Sequence, residues 1–445
     1  MVDTIVIGAG IAGVTAARLL QAGGQRVVVL EARDRVGGRM WTDRTAGFSV
    51  DRGASWIHGL TDNPLTELVA ELGMDAVEFT VGSYQAGGRP IADFDEEHRR
   101  FDADETRRWL ADIDAADELL LQASAASAPG ETYADVSERA IAASGFDGLR
   151  AARVRAFHRH RTEEQCGTDI DRVAARGLDE DAIDGDEVIF PGGYDVLPRS
   201  LAAGLDIRLG QQVVAVKWSE AGVRVETLSD VFEAARVVVT VPLGVLKAGG
   251  IRFAPELPEV VAGPIERLGM GVFDKVFLRF AERFWEDGVY AIRQHGEPGF
   301  PWHSWYDVSA VSGEPMLLTF AGGDWARRIE AMDDDAIVAS AMQGLRANYG
   351  DAVPDPIAHW ITRWGADEFS LGSYSYVAAG ASHADHDALA TPVGGVLHFA
   401  GEAAWSTDPA TVRGALLSGH RAAERILGAE IPIASLAEGT RPETD

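Results

Sequence analysis

The chain has 445 residues, 46% hydrophobic and 24% charged, which is a globular composition long enough for two or three domains. A formal charge of −29, from 69 acidic against 40 basic side chains, repels phosphate backbones and anionic lipid, so nucleic acid is not an expected partner. The same charge suits a cationic small molecule, although it also serves solubility or salt adaptation. The one cysteine, Cys166, allows neither an internal disulfide nor a cysteine metal cluster, and no other metal-ligand spacing is present. No run of eighteen apolar residues exists, so no membrane span is expected. Residues 2–7 read as a strand rather than a signal peptide, which makes the cytoplasm the expected location.

In chain order, Thr4–Ile7 is β-branched and apolar, as a buried parallel strand should be. Gly8, Gly10 and Gly13 follow as G-x-G-x-x-G, and Ala12 to Leu20 continues at helical spacing. In such a unit the first glycine permits the turn, the second lets backbone approach a pyrophosphate, and the third lets the helix pack on the strand. The helix N-terminus offers free N–H groups to the phosphates. A second strand, Arg26–Leu30, ends at Glu31, the position expected to take ribose hydroxyls. This unit predicts a dinucleotide, either NAD or FAD.

The next segment, EARDRVGGRMWT, brings Arg33, Gly37, Gly38 and Arg39. An NAD dehydrogenase does not need a second glycine pair and arginine here. An extended flavin cofactor does, and Arg39 can pair with its pyrophosphate or sit near its ring. In DRGASWIHG, the run Gly53, Ala54, Ser55 and Trp56 reads as backbone passing close to a flat ring. The expected FAD contacts in this half are Gly8, Gly10, Ala12, Gly13, Glu31, Arg33, Gly38, Arg39 and Gly53 to Trp56.

Residues 81–184 change character. Dense mixed charge with apolar residues at helical spacing predicts solvated amphipathic helices, with a break at ASAASAPGET. Strands return in LDIRLGQQVVAVKW and RVVVTVP. Residues 266–374 alternate apolar and polar around DKVFLRF and MLLTFAGG, which predicts an antiparallel sheet. A strand at Leu397–Ala400 and a helix from about Val412 close the chain.

These motifs together resemble the flavin amine oxidase family: monoamine oxidases, polyamine oxidases and lysine-specific histone demethylases. The wording of TVPLGVLK, GSYSYV, FAGE and PATV is nearer the polyamine oxidase and demethylase branch. The resemblance implies an α/β fold, with a Rossmann-type FAD-binding domain of the GR2 flavoprotein kind interleaved with an α+β substrate-binding domain. The FAD domain is expected at 1–80, 185–265 and 375–445, and the substrate domain at 81–184 and 266–374. The membrane anchor of the monoamine oxidases and the helical additions of the demethylases have no counterpart here, so chromatin binding is not expected.

The resemblance also implies roles. Lys275 in GVFDKVFLRF matches the lysine that approaches flavin N5 through a water, and Tyr374 matches an aromatic wall at the flavin face. Ser373 stands where monoamine oxidases carry the cysteine joined to flavin, which predicts non-covalent FAD. Thr411 stands where those enzymes carry their second aromatic wall, so the site is expected to be roomier. Gly401, Glu402, Thr411 and Val412 match positions along the ribityl chain and ring, Trp364 an aromatic lining, and Val213 the clasp on adenine. His58 resembles a channel histidine able to assist amine deprotonation, or it is held by loop backbone. Trp302, with His303, Trp305 and Tyr306 beside it, fits a channel lining or a sheet core. The expected reaction takes a primary or secondary amine, with a polyamine favoured, to an imine that hydrolyses to an aldehyde, while O2 becomes hydrogen peroxide. Monoamine oxidase-like activity and an amino-acid oxidase of the same fold are alternatives, as is, more remotely, a flavin-binding protein without turnover. A homodimer stays open.

Overall fold

The computed structural model describes residues 2–80, 90–178, 185–297 and 301–438. The expected domain borders at 80/81 and 184/185 adjoin segments outside the described residues. The opening apolar run forms β1 (Val2–Ile7), followed by α1 (Ile11–Ala22) and β2 (Val27–Leu30). β1 lies between β2 and the long strand Val231–Val239, parallel to both. Beyond β2 comes Ile207–Arg208, and beyond Val231–Val239 come Gly222–Thr227, Val213–Ser219 and Arg252–Ala254. Leu397–Phe399 also pairs in parallel with Val231–Val239, giving eight strands.

Both faces of β1 are covered, which is why its sequence is continuously apolar rather than alternating. Val6 packs with α1 and the helix Val412–Leu427, whereas Ile5 and Ile7 pack toward Val261, Ile265 and Leu389. α1 and Val412–Leu427 cross where Gly419 meets Ala12, and a Cβ on Gly419 would collide with the Ala12 carbonyl. The C-terminal helix is thereby fixed against the first one.

A second sheet has the order Ala358–Ile361, Phe273–Arg279, Met316–Gly322, Ser304–Asp307, Ala291–Gln294 and Ile91–Phe94. It is antiparallel, as predicted, except for its last strand. Ile91–Phe94 pairs in parallel with Ala291–Gln294, although the sequence there suggested only helices. The helices Ala103–Ala125, Tyr133–Ser144 and Gly148–Cys166 stand beside this sheet. The break between the first two ends in a capping box of Thr132 and Asp135, which satisfies the free N–H groups of the second helix. Along Phe273–Arg279, Val276 and Leu278 face a core shared with the helix Asp334–Tyr349. Lys275 and Phe277 face the other way, toward Trp56. Among the described residues, no helix is long and apolar enough to cross a membrane.

Candidate active site

The first turn is built as its glycines require. Gly8 has φ +101, and a Cβ there would lie 2.7 Å from Thr240 Oγ1. A Cβ on Gly13 would collide with the Gly8 carbonyl, whereas a Cβ on Gly10 would meet nothing within 4 Å. Gly10 is therefore bare for the sake of something beyond the protein atoms. The buried Glu31 closes the turn: its Oε2 accepts from Ala9 N at 2.7 Å and its Oε1 from Arg33 N at 2.8 Å. Gly38 stacks its backbone against Gly10. Gly210 and Gln211 donate to the carbonyls of Arg33 and Glu31, which brings the start of the Val213 strand to the same end. The Arg33 side chain turns away to Asp367 at 2.6 Å and to Ser370 at 3.0 Å. It locks the segment after Trp364 instead of facing the turn.

Arg39 Nη1 donates to Glu402 Oε1 and to the Ser373 carbonyl, both at 2.8 Å. Glu402 is buried, and its other oxygen accepts from Ser375 N and Oγ. Burial pushes this carboxyl up, but Arg39 and Ser375 outweigh that and hold it below the usual carboxylate range. Gly401 has φ +136 with nothing within 4 Å of a Cβ, so this side of the groove is bare as well. Trp364 is buried, donates from Nε1 to the Arg52 carbonyl at 3.0 Å and stands edge-on to Trp41.

Lys275 is buried against the loop Asp51–Ser55. Its Nζ donates to the Gly53 carbonyl at 2.6 Å, to Ser55 Oγ at 2.5 Å and to the Asp51 carbonyl at 3.1 Å. The loop bends tightly enough to present these oxygens because Gly53 lacks a Cβ, which would collide with the Arg39 carbonyl. Ala54 N donates to that same carbonyl. Burial pushes the Lys275 ammonium down to about 7, against the pull of Asp51. Burial likewise pushes the Asp51 carboxyl up to about 6, against its bond from Thr42.

Around the Lys275 ammonium stand aromatic rings. Trp56 lies 5.1 Å and Phe320 6.0 Å from Nζ. Phe320 stacks on Phe273 at 4.7 Å, Phe273 meets Tyr374 at 5.9 Å, and Tyr306 meets Phe320 at 5.6 Å. Trp56, Phe273, Phe320 and Tyr374 are only half-buried, so they form a wall rather than a sealed core. Tyr374 Oη donates to the Glu164 carbonyl at 2.5 Å, and Tyr306 Oη to Glu164 Oε1 at 3.1 Å. Burial pushes the Glu164 carboxyl up, but His160, 3.2 Å away, outweighs it and the group stays low. A carboxylate thus sits at one end of an aromatic wall and a lysine near the other. Sequence reading did not single out Phe273, Phe320 or Glu164 for this place, and it named Tyr306 only beside Trp302 as channel lining or sheet core.

Other expected site residues fall as follows. His58 is half-exposed, stacks on Trp56 and bonds through Nδ1 to Glu187, a carboxylate the sequence did not single out. Trp302 is not brought to Lys275. It packs behind the second sheet and donates from Nε1 to Ser340 at 3.0 Å. Alternation instead sends Tyr306 to the lysine face and Trp305 to the core with Trp302. The Thr411 hydroxyl caps the helix Val412–Leu427, accepting from Gly414 N at 2.9 Å and donating to the Asp408 carbonyl. Its side chain serves the helix rather than an open wall. Val412 begins that helix, and Tyr376 lies against Gly269, away from Tyr374.

The family described as flavin containing amine oxidoreductase matches residues 11–427, and the chain belongs to it. Polyamine oxidase 2 of Arabidopsis thaliana is 35% identical, covering 95% of this chain and 87% of that protein. Human lysine-specific histone demethylase 2 is 34% identical over 95% of this chain, which spans 53% of that longer protein. Among solved structures, cyclohexylamine oxidase from Brevibacterium oxydans superposes with a TM-score of 0.79 at 26% identity, covering 96% of this chain and 99% of that one. The protein is thus an FAD-dependent oxidoreductase acting on amines, with the GR2 flavoprotein fold. The residues present fit that cofactor: a Cβ on Gly10 or Gly401 would meet nothing within 4 Å, Glu31 closes the first turn, and Arg39 is held by Glu402.

Proposed function

We infer that the protein oxidises a di- or polyamine, removing hydrogen from a carbon beside nitrogen and passing the electrons to O2. The observation that carries this reading is the Glu164 carboxylate held by Tyr306 beneath Tyr374, on the aromatic wall that begins beside Lys275. A bound flavin supplies the acceptor for the hydride equivalent. The rest falls to the chain. Gly8, Gly10, Ala12, Gly13, Glu31 and Gly38 hold the nucleotide end, with Val213 beside the adenine. Arg39, Gly53 to Trp56, Trp364, Gly401, Glu402, Thr411 and Val412 hold the ring end. Ser373 carries no thiol at the position of the covalent link, which supports non-covalent binding.

Tyr374, Phe273 and Phe320 exclude water from the near amine and favour it through ring–nitrogen contacts. Glu164 takes the distal ammonium, so one nitrogen stays charged while the other reacts neutral. His58, held by Glu187, accepts the proton the near ammonium must lose. Lys275 presents a cation where negative charge develops as O2 is reduced to hydrogen peroxide. The same reading divides the chain into FAD-binding segments 1–80, 185–265 and 375–445 and substrate-binding segments 81–184 and 266–374. Anaerobic mixing with mono-, di- and polyamines and with amino acids tests it. Polyamines should bleach the yellow chromophore fastest. Bleaching by amino acids alone, or by nothing, would overturn the substrate assignment.

A further inference from the structure

We propose that a small apolar cavity behind Ser55 is a dioxygen site feeding the Lys275 pocket. This rests on the oxidase reading above. The cavity measures about 40 Å³ and lies between Ser55, Trp56, Phe277, Val311, Met316 and Leu318. That is room for roughly three water-sized molecules. Its wall is mainly carbon. Asp51 borders it, but Asp51 Oδ1 is already taken by Thr42 Oγ1 at 2.6 Å and Tyr194 N at 3.1 Å. An extended amine with an ammonium at each end does not find the length it needs, and Asp51 is one carboxylate where two ammonium groups would need two. Water finds few partners on such a wall, whereas an apolar diatomic gives up little on leaving solution.

The position of the cavity gives the site its purpose. Its outer end is the short helical turn Ser309–Ser312, where Val311 is half-buried. At its inner end Ser55 Oγ accepts from the Lys275 ammonium at 2.5 Å, and the Trp56 ring lies 5.1 Å from that nitrogen. A molecule passing Ser55 and Trp56 therefore meets a buried cation directly. Negative charge forms on dioxygen as it is reduced, and a fixed cation in a dry pocket stabilises it. The step balances: dioxygen takes two electrons and one proton from the reduced flavin anion and a second proton from water, leaving as hydrogen peroxide. The amine instead approaches from the wall of Tyr374, Phe273 and Phe320. Separate routes let oxygen arrive while the organic product is still leaving.

Two measurements test the proposal. Crystals of the flavin-loaded protein under xenon should show a xenon atom between Phe277, Val311 and Met316, because dry apolar cavities bind it. In solution, flavin-loaded Val311→Phe is photoreduced and mixed with dissolved oxygen in a rapid-mixing spectrometer. The second-order reoxidation constant should fall about tenfold, while anaerobic bleaching by an amine keeps its wild-type rate. Photoreduction needs no amine, so a failed substrate assignment leaves this measurement readable. Unchanged reoxidation in loaded Val311→Phe, or a cavity without xenon, would overturn the site. Should the variant not take up flavin, the xenon result on the unaltered protein decides alone.

Discussion

Arg39 and Glu402 lie 363 positions apart in the chain and meet at 2.8 Å, joining the loop after β2 to the turn after Leu397–Phe399. The bond draws the first and last parts of the nucleotide groove onto one pair of charges. Because Glu402 is buried, the loss of one partner leaves the other charge stranded. Glu402→Gln, which keeps an amide in place of the charge, should lower unfolding free energy by about 1–3 kcal/mol. It should also reduce flavin occupancy after gel filtration. Calorimetry alongside the absorbance ratio of flavin to protein checks both, and full occupancy at wild-type stability would contradict the role.

Two glycines of one turn should behave differently. Gly13→Ala forces a Cβ into the Gly8 carbonyl and should destabilise the apoprotein by roughly 2 kcal/mol or more. Gly10→Ala has open space, so its apoprotein should stay within about 1 kcal/mol of wild type. Its affinity for FAD should nevertheless drop at least about tenfold, or about 1.4 kcal/mol. Titration of both apoproteins with FAD separates the two effects.

Lys275 gives a prediction with a definite sign. Its buried ammonium titrates at about 7, so the cation predominates below that pH and the neutral amine above it. Flavin reoxidation by oxygen should be faster on the acid side and decline as pH rises through about 7. Lys275→Met should be slow and flat. Stability carries the same signature. From about 7 up to the ordinary lysine value near ~10.4, the unfolded chain binds the proton the folded one has lost. The Lys275 contribution therefore rises with pH across that window. Asp51, raised to about 6, acts lower and in the opposite sense. Melting curves of wild type and Lys275→Met should diverge in slope above neutrality.

Glu164→Gln should raise KM for diamines and polyamines about tenfold or more, through loss of an ion pair to the distal ammonium. The KM for a monoamine of similar length should stay near wild type. Equal effects on both classes would show that Glu164 serves only to orient Tyr306.

The opening βαβ unit was legible in the sequence because all its signals are local: β-branched residues, three spaced glycines and an acid at the end of β2. The antiparallel sheet of residues 266–374 was legible from alternation. Its last strand, Ile91–Phe94, was not, since four residues set among charges carry little pattern and their partner lies far along the chain. Trp305 and Tyr306 show the same limit within one motif. Both are aromatic and only the register of the strand separates them, which sends Tyr306 to the face of Lys275 and Trp305 to the core with Trp302. Glu164 was hidden beside an identical neighbour. Glu163 pairs with Arg159 on its own helix, and the turn of about 100° per residue aims Glu164 at Tyr306 instead.

The crossing of Gly419 over Ala12 bears on how the protein is made. Arg39 and Glu402 are likewise far apart, by 363 positions, so the clasp stays open until both segments have been synthesised. Cofactor capture must then follow the joining of two distant parts of the chain, and it rewards a cell with free FAD at hand.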